Sequence, residues 1–280
     1  MKISIVTINY NNAEGLRRTL ASVAEQSYRD IEHIIIDGGS TDGSVDAIKE
    51  YVAANSNRDP FFKHAIKWVS EKDNGIYNAM NKGIRKATGA YVQILNSGDI
   101  FAAADVVERM VAEIEKVEYP ELLYGNMIRK NYATGKLDGK SKEVEYSLRQ
   151  YYSSTMNHDC CYIRRDVYEK YGLYDEDLKI VSDWKWFLQT IGLGKVKPVY
   201  VDIDVTHFDM SGISERDLEL RNRERRQVLE ELLPSAILVD YDKHAFDAEQ
   251  MDRLRKYHIY GLVYFGERVL FKLEKWKILK

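Results

Sequence analysis

Cysteine is almost missing from this 280-residue chain: there are two, Cys160 and Cys161, side by side. Adjacent cysteines build no disulfide framework and lack zinc-ligand spacing. The fold must therefore rest on its core, and a reducing compartment is expected. Neither charge sign is in excess. Lys and Arg number 41 against 44 Asp and Glu, a net of −3, which leaves no strongly basic face for nucleic acid. Long hydrophobic runs are also lacking. No stretch nears the roughly 18 apolar residues of a membrane span. The start, MKISIVTINY, carries one lysine and an apolar run too brief for a signal peptide. A cytoplasmic protein is the expectation. No internal repeat or low-complexity segment breaks the chain. What is present is 45% hydrophobic residues, enough for a core and against wholesale disorder. The length suits one large domain, or a domain with an appendage.

The apolar residues alternate between two periods. Residues 2–9, 31–37, 66–69 and 91–95 are short runs rich in Ile and Val and read as buried strands. Between them, Leu16, Leu20 and Val23, then Val45, Ile48 and Val52, then Ile76, Met80 and Ile84 recur at helical spacing. Four strands alternating with helices predict an α/β fold with a mostly parallel central sheet. The strand at 91–95 breaks at once into Asn96, Ser97, Gly98 and Asp99. Ligands bind at the carboxyl ends of such strands, and a carboxylate there can hold a hard cation. The second half is less regular. It predicts a helix over 106–114, strands within 122–128, a charged loop over 134–145, a strand over 158–163, helices over 167–173 and 182–191, a last strand over 199–208, a loop after Asp209 and a charged helix over 216–233.

Six segments, in order, carry a resemblance: SIVTINYNN with LRRTLASVAEQ (4–26), HIIIDGGSTDGS (33–44), SEKDNGIYNAMNKGI (70–84), GAYVQILNSGD (89–99), NHDCCYIRRDVYEKYGLYDEDL (157–178) and VSDWKWFL (181–188). Together they resemble the inverting glycosyltransferases of family 2, of the bacterial surface-polysaccharide type, which have the Rossmann-like GT-A fold. The resemblance implies a catalytic domain at 1–215 and a helical extension at 216–280. It implies a nucleotide-diphospho-sugar donor, a UDP-sugar first, and a glycan or lipid-linked acceptor. Thr7 and Asp37 match positions that grip the base, and Tyr10 can stack on it. Asp73, Gly75 and Asn81 match the segment along the ribose and pyrophosphate. Asp99 matches the last acid of the metal motif for Mn²⁺ or Mg²⁺. This turn offers one acid where the family offers two or three, so Asn96 is a neutral oxygen beside it, and His207 or His158 a further ligand.

Asp183 matches the catalytic base, with Asp175 and Glu176 ranked behind it. Burial beside Trp184 and Trp186 is expected to raise its basicity, and those rings could stack on a sugar. Two rival classes are a nucleotidyltransferase, which would want a basic, glycine-rich loop after the first strand where this chain has Asn11-Asn12-Ala13, and a nucleotide-sugar-binding protein without transfer. The tail from Ile259 to Lys280 places Leu262, Phe265, Val269, Leu273 and Trp276 on one helical stripe beside basic residues. Such a helix can lie on an anionic membrane surface or pack on a second subunit.

Overall fold

The computed structural model describes residues 1–59, 64–132, 134–210, 217–244 and 270–271. The tail helix expected over 259–280 lies outside them except for Leu270 and Phe271, as does the loop after Met210 up to residue 216. The chain forms two compact units, Met1–Val228 and Leu229–Lys280. In the second, residues 235–244 are helical.

The first unit opens as the alternation predicts: β1 (Ile3–Asn9), α1 (Ala13–Ala24), β2 (Ile31–Asp37), α2 (Ser44–Ser56), β3 (Ala65–Ser70), α3 (Ile76–Lys86) and β4 (Tyr91–Ile94). All seven residues of both β1 and β2 are buried. That is why they read as short runs dominated by Ile and Val rather than as strict alternation, with polar residues such as Ser4, Thr7, Glu32 and His33 buried among them. β1 pairs in parallel with β2 and β4, and β2 with β3. Beyond β4 the sheet turns mixed. The order is β3-β2-β1-β4-β8-β6-β9-β5, and β7 pairs with β6. Here β5 is Ile100–Phe101, β6 Leu122–Asn131, β7 Lys136–Lys140, β8 Cys161–Arg164 and β9 Pro198–Asp209. β8 runs antiparallel between β4 and β6, while β6 and β9 are parallel with irregular register around Asn126.

Three local readings change. The charged stretch expected as a loop contains β7, all of it exposed. An exposed hairpin strand has no apolar run to announce it. The strand expected over 158–163 begins with a single 3₁₀ turn, His158–Cys160. The helix α7 (Ser182–Phe187) continues as one π turn to Gly192.

Two layers flank the sheet. On one face, Ile3 and Ile5 of β1 pack with Val106, Met110 and Ile114 of α4 (Val106–Lys116), while Leu16 and Leu20 of α1 meet Ile35 and Ile48. On the other face α3 lies against β1 and β2. The approach of α3 depends on Gly83: a Cβ there would sit 2.2 Å from Val6 Cγ1. Val6 is β-branched and has no flexible end to move aside.

Gly83→Ala is expected to lose about 1–3 kcal/mol of stability through overpacking, measured by chemical denaturation. The Val6→Ala and Gly83→Ala double variant should lose less than the sum of its parts. Additive losses would show that the two positions do not meet.

Candidate active site

A cavity of about 450 Å³ opens at the carboxyl ends of β1 and β4, on the α3 side of the sheet. Its wall draws on distant segments. β1 and its exit give Ile8, Asn9, Tyr10 and Asn12. The start of α3 gives Gly75, Ile76, Tyr77, Ala79 and Met80, with Asp73 before it. The turn after β4 gives Asn96, Ser97 and Asp99. His158, Lys179, Ile180, Asp183 and the end of β9, Phe208 and Asp209, complete it.

Asp183 lies in the first turn of α7. Its Oδ1 accepts from the Tyr77 hydroxyl at 2.9 Å and its Oδ2 from His158 Nδ1 at 3.1 Å. Asn96 Nδ2 meets the other ring nitrogen, Nε2, at 3.1 Å. A buried carboxylate must be paired or hydrogen-bonded to stay ionised. Here burial pushes the Asp183 carboxyl up, but the hydrogen bond and charge of His158, with the Tyr77 hydroxyl, outweigh it and hold the group below its ordinary value. The expectation of raised basicity is thus corrected: the donors win over desolvation. Burial lowers His158, yet the hydrogen bond and charge of Asp183 hold it above its ordinary value. The tryptophans belong to the core. Trp184 and Trp186 are 2% and 1% exposed, and their ring N–H groups donate to the carbonyls of Tyr151 and Gly172. Asp175 pairs with Lys185, and Glu176 accepts from Asn78 and Asn81.

The turn after β4 is clamped from both sides. The Thr19 hydroxyl donates to the Asp99 carbonyl at 2.7 Å and accepts from Gly98 N–H. Asp209 N–H donates to Asp99 Oδ1 at 2.8 Å. Burial, then the charge of Asp159, pushes the Asp99 carboxyl well above its usual range. Asp159 is itself raised by burial, against His158 and the Thr206 hydroxyl. Buried like charges of this kind are relieved by a cation. The Asn96 Oδ1 is buried and has no partner among the described residues, so it too suits a hard cation, which prefers oxygen. Among the described residues no three His, Cys, Asp or Glu side chains group closely enough to hold a metal alone. Asp99 and Asn96 therefore form a partial set of oxygen donors, short of a complete metal site.

The residues read as nucleotide contacts divide. Tyr10, 65% exposed, lines the cavity with Asp73, Gly75 and Asn96. Gly38 makes room between them: a Cβ there would stand 2.5 Å from Asp73 Oδ2 and 3.1 Å from the Tyr10 ring. Asp37 is buried at the end of β2 and accepts from Asn9, Ser40 and Ser70. Burial raises it, but these donors hold it below its ordinary value. Thr7 and Asn81 are turned inward. Ile8 faces the cavity, so strand alternation sends Thr7 to the opposite face, where its hydroxyl meets His33 Nε2. Asn81 spans to the Tyr174 carbonyl and Glu176. His207 sits between Thr206, bonded to Asp159, and Phe208, on the cavity wall. The pleat turns it to the other side of β9, near Lys130. With both nitrogens of His158 engaged, Asp99 and Asn96 remain the oxygen donors of the turn. Tyr77 was not legible as a site residue, because on an apolar helix stripe only its hydroxyl distinguishes it from core.

The chain has counterparts among known proteins. Residues 4–172 match the family described as Glycosyl transferase family 2. An uncharacterized glycosyltransferase of Mycobacterium tuberculosis is 32% identical over 214 residues, 75% of this chain and 76% of that protein. A PGL/p-HBAD biosynthesis glycosyltransferase of the same organism is 27% identical over 209 residues, 75% of this chain and 77% of the other. Among solved structures, S. aureus TarS 1-349 in complex with UDP-GlcNAc superposes with a TM-score of 0.63 at 17% identity, covering 82% of this chain and 64% of that one. The mannosyltransferase PcManGT from Pyrobaculum calidifontis, in complex with GDP-Man and Mn²⁺, gives 0.57 at 18%, covering 80% and 60%. This chain thus spans under two thirds of either solved chain, and at such identities the likeness is one of fold, GT-A.

Tyr77→Phe removes one donor from Asp183 and is expected to raise the carboxyl's titration midpoint, followed by its ¹³C shift against pH. The folded group is depressed, so the stability it contributes is present above its unfolded value and lost as pH falls through the folded one. In Tyr77→Phe that loss should be smaller and should end at higher pH, because the folded value lies closer to the unfolded one. An unmoved midpoint would mean that the hydroxyl does not stabilise the anion.

Proposed function

This chain belongs to glycosyl transferase family 2, and on that footing we propose that it moves a sugar from a UDP-sugar to a hydroxyl of a glycan or lipid-linked acceptor, with inversion at the anomeric carbon. Transferase activity comes with the family; donor, acceptor and stereochemistry are the proposal. The observation that carries it is the shared cavity: Asp99 and Asp183, 84 positions apart in sequence, line one hollow with Tyr10 and Asp73.

An inverting transfer is one in-line displacement. Asp183 takes the proton of the acceptor hydroxyl. The hydroxyl oxygen bonds to the anomeric carbon as the bond to the donor phosphate breaks, and the nucleoside diphosphate leaves with that electron pair. Tyr10 stacks on the base, and Asp73 and Gly75 flank the ribose and pyrophosphate. Asp37, through Asn9 and Ser40, shapes the loop beneath the base, while Thr7 and Asn81 support from within. Asp99 and Asn96 would hold a divalent cation, which when bound neutralises charge on the leaving diphosphate. In this reading residues 1–215 carry the chemistry and the remainder is a helical extension. The relatives named for PGL/p-HBAD biosynthesis support a lipid-linked acceptor, and hence work at the membrane's inner face in building a surface glycan. No described helix is long and apolar enough to cross a membrane.

The test is nucleoside diphosphate release from a panel of UDP-glucose, UDP-galactose, UDP-GlcNAc and GDP-mannose, with and without Mn²⁺. Asp183→Asn should lower turnover about 10²–10⁴-fold, the usual worth of a positioned base, while leaving the thermal shift on donor binding intact. Asp99→Ala should weaken the Mn²⁺ response. Equal turnover in wild type and both variants would overturn the assignment.

A further inference from the structure

His158 stands where two halves of the cavity meet. It comes from the 3₁₀ turn before β8, and its ring lies between Asn96, on the turn after β4, and Asp183, at the start of α7. The side chain is 14% exposed, so the ring is shielded on most sides yet reaches the cavity wall. Its two nitrogens make different bonds. Asn96 Nδ2 is a donor and faces Nε2, which therefore accepts; Nδ1 then carries the hydrogen that Asp183 Oδ2 receives at 3.1 Å. Which nitrogen of an imidazole bears the proton is set by the bond the other makes. Asn96 thus selects the tautomer that lets His158 hold Asp183.

The carboxylate has one further side-chain tether, the Tyr77 hydroxyl on Oδ1. That hydroxyl also donates toward the Ile180 carbonyl at 2.6 Å, so its single hydrogen is contested. His158 has no such rival at Nδ1 among the described residues.

We infer that His158 is a positioning residue. Held by Asn96 in the Nδ1–H form, it fixes the rotamer of the Asp183 carboxylate and so aims the base at the acceptor hydroxyl. This rests on the reading of Asp183 as base. It also explains what the neutral residue of the turn does, since Asn96 Nδ2 orients the imidazole while its Oδ1 stays directed elsewhere. An aspartate at 96 would present acceptors on both atoms and require the opposite tautomer or a charged ring.

The experiment uses the full chain and the best substrate of the four-sugar panel. His158→Ala should lower kcat about tenfold to a hundredfold, the cost of misplacing a reacting group by about an ångström, with donor KM within about twofold. Asparagine places an amide N–H near the Nδ1 position and glutamine near Nε2, so His158→Asn should recover most of the loss and His158→Gln should not. In the Asp183→Asn background, adding His158→Ala should cost little more, as for residues acting as one unit. An Asn variant as slow as Ala, or a loss confined to KM, would overturn the inference. If Asp183→Asn keeps full turnover, the base assignment falls first; if it is slow while His158→Ala is at wild-type speed, only the role of His158 falls. A readout without substrate is the long-range ¹H–¹⁵N spectrum of the imidazoles, with His158 identified by its absence in His158→Asn. A protonated Nδ1 is expected, and an Nε2–H neutral tautomer would overturn the inference.

Discussion

The cavity is organised by the need to satisfy a buried anion. Asp183 is shielded on most sides, and an ionised carboxylate in such a place survives only with donors on it. Those donors come from Tyr77, 106 positions earlier, and His158, 25 positions earlier. Bringing them to one point fixes α3, the 3₁₀ turn and α7 relative to one another. Asn81 and Asn78 add bonds from α3 to the segment carrying Tyr174 and Glu176. The result is a wall whose polar groups are set before any ligand arrives, which is what preorganised catalysis asks of a site.

The opposite wall answers a different demand. The turn after β4 must hold Asp99 buried beside Asp159, and burial with like charge pushes both carboxyls up. Two of the acids that line the cavity are therefore driven apart: Asp183 down by its donors, Asp99 up by burial and its neighbour. Environments that separate titratable groups in this way commonly mark a division of roles. A group kept ionised is open to a proton, at the cost of being a weaker base than an ordinary carboxylate. One whose charge is costly gains most from a cation.

How far this was legible in the sequence follows from what each element buries. β1, β2 and β4 announce themselves because both faces are covered and Ile and Val dominate them, the polar Ser4, Thr7, Glu32, His33 and Gln93 being buried among them. Asp99 stood out at the end of a buried strand and Asp183 through the family resemblance of its segment, and both line the cavity. β7 was missed because it is exposed and charged, and β5 because two residues carry no period. Thr7 and His207 were assigned by position along a strand, whereas the pleat decides which face a side chain takes. The lowered basicity of Asp183 was out of reach, since burial is readable from flanking tryptophans but a hydroxyl 106 positions away is not.

The clamp of Asp99 by the Asp209 backbone has a consequence for how the chain assembles. β5, which follows that turn directly, finds its partner in β9, with Ile100 opposite His207. On a ribosome Tyr10, Asp73 and Asp99 emerge 188, 125 and 99 residues before Pro198, the start of β9. Such distant pairing is slow to close, and domains form as synthesis proceeds from the amino terminus. A nascent chain halted before Pro198 would hold the parallel strands β1 to β4 and the Thr19 side of the clamp, yet leave the Asp99 carboxyl without its backbone donor from Asp209. The protein thus ripens into an enzyme only once its ninth strand has been delivered.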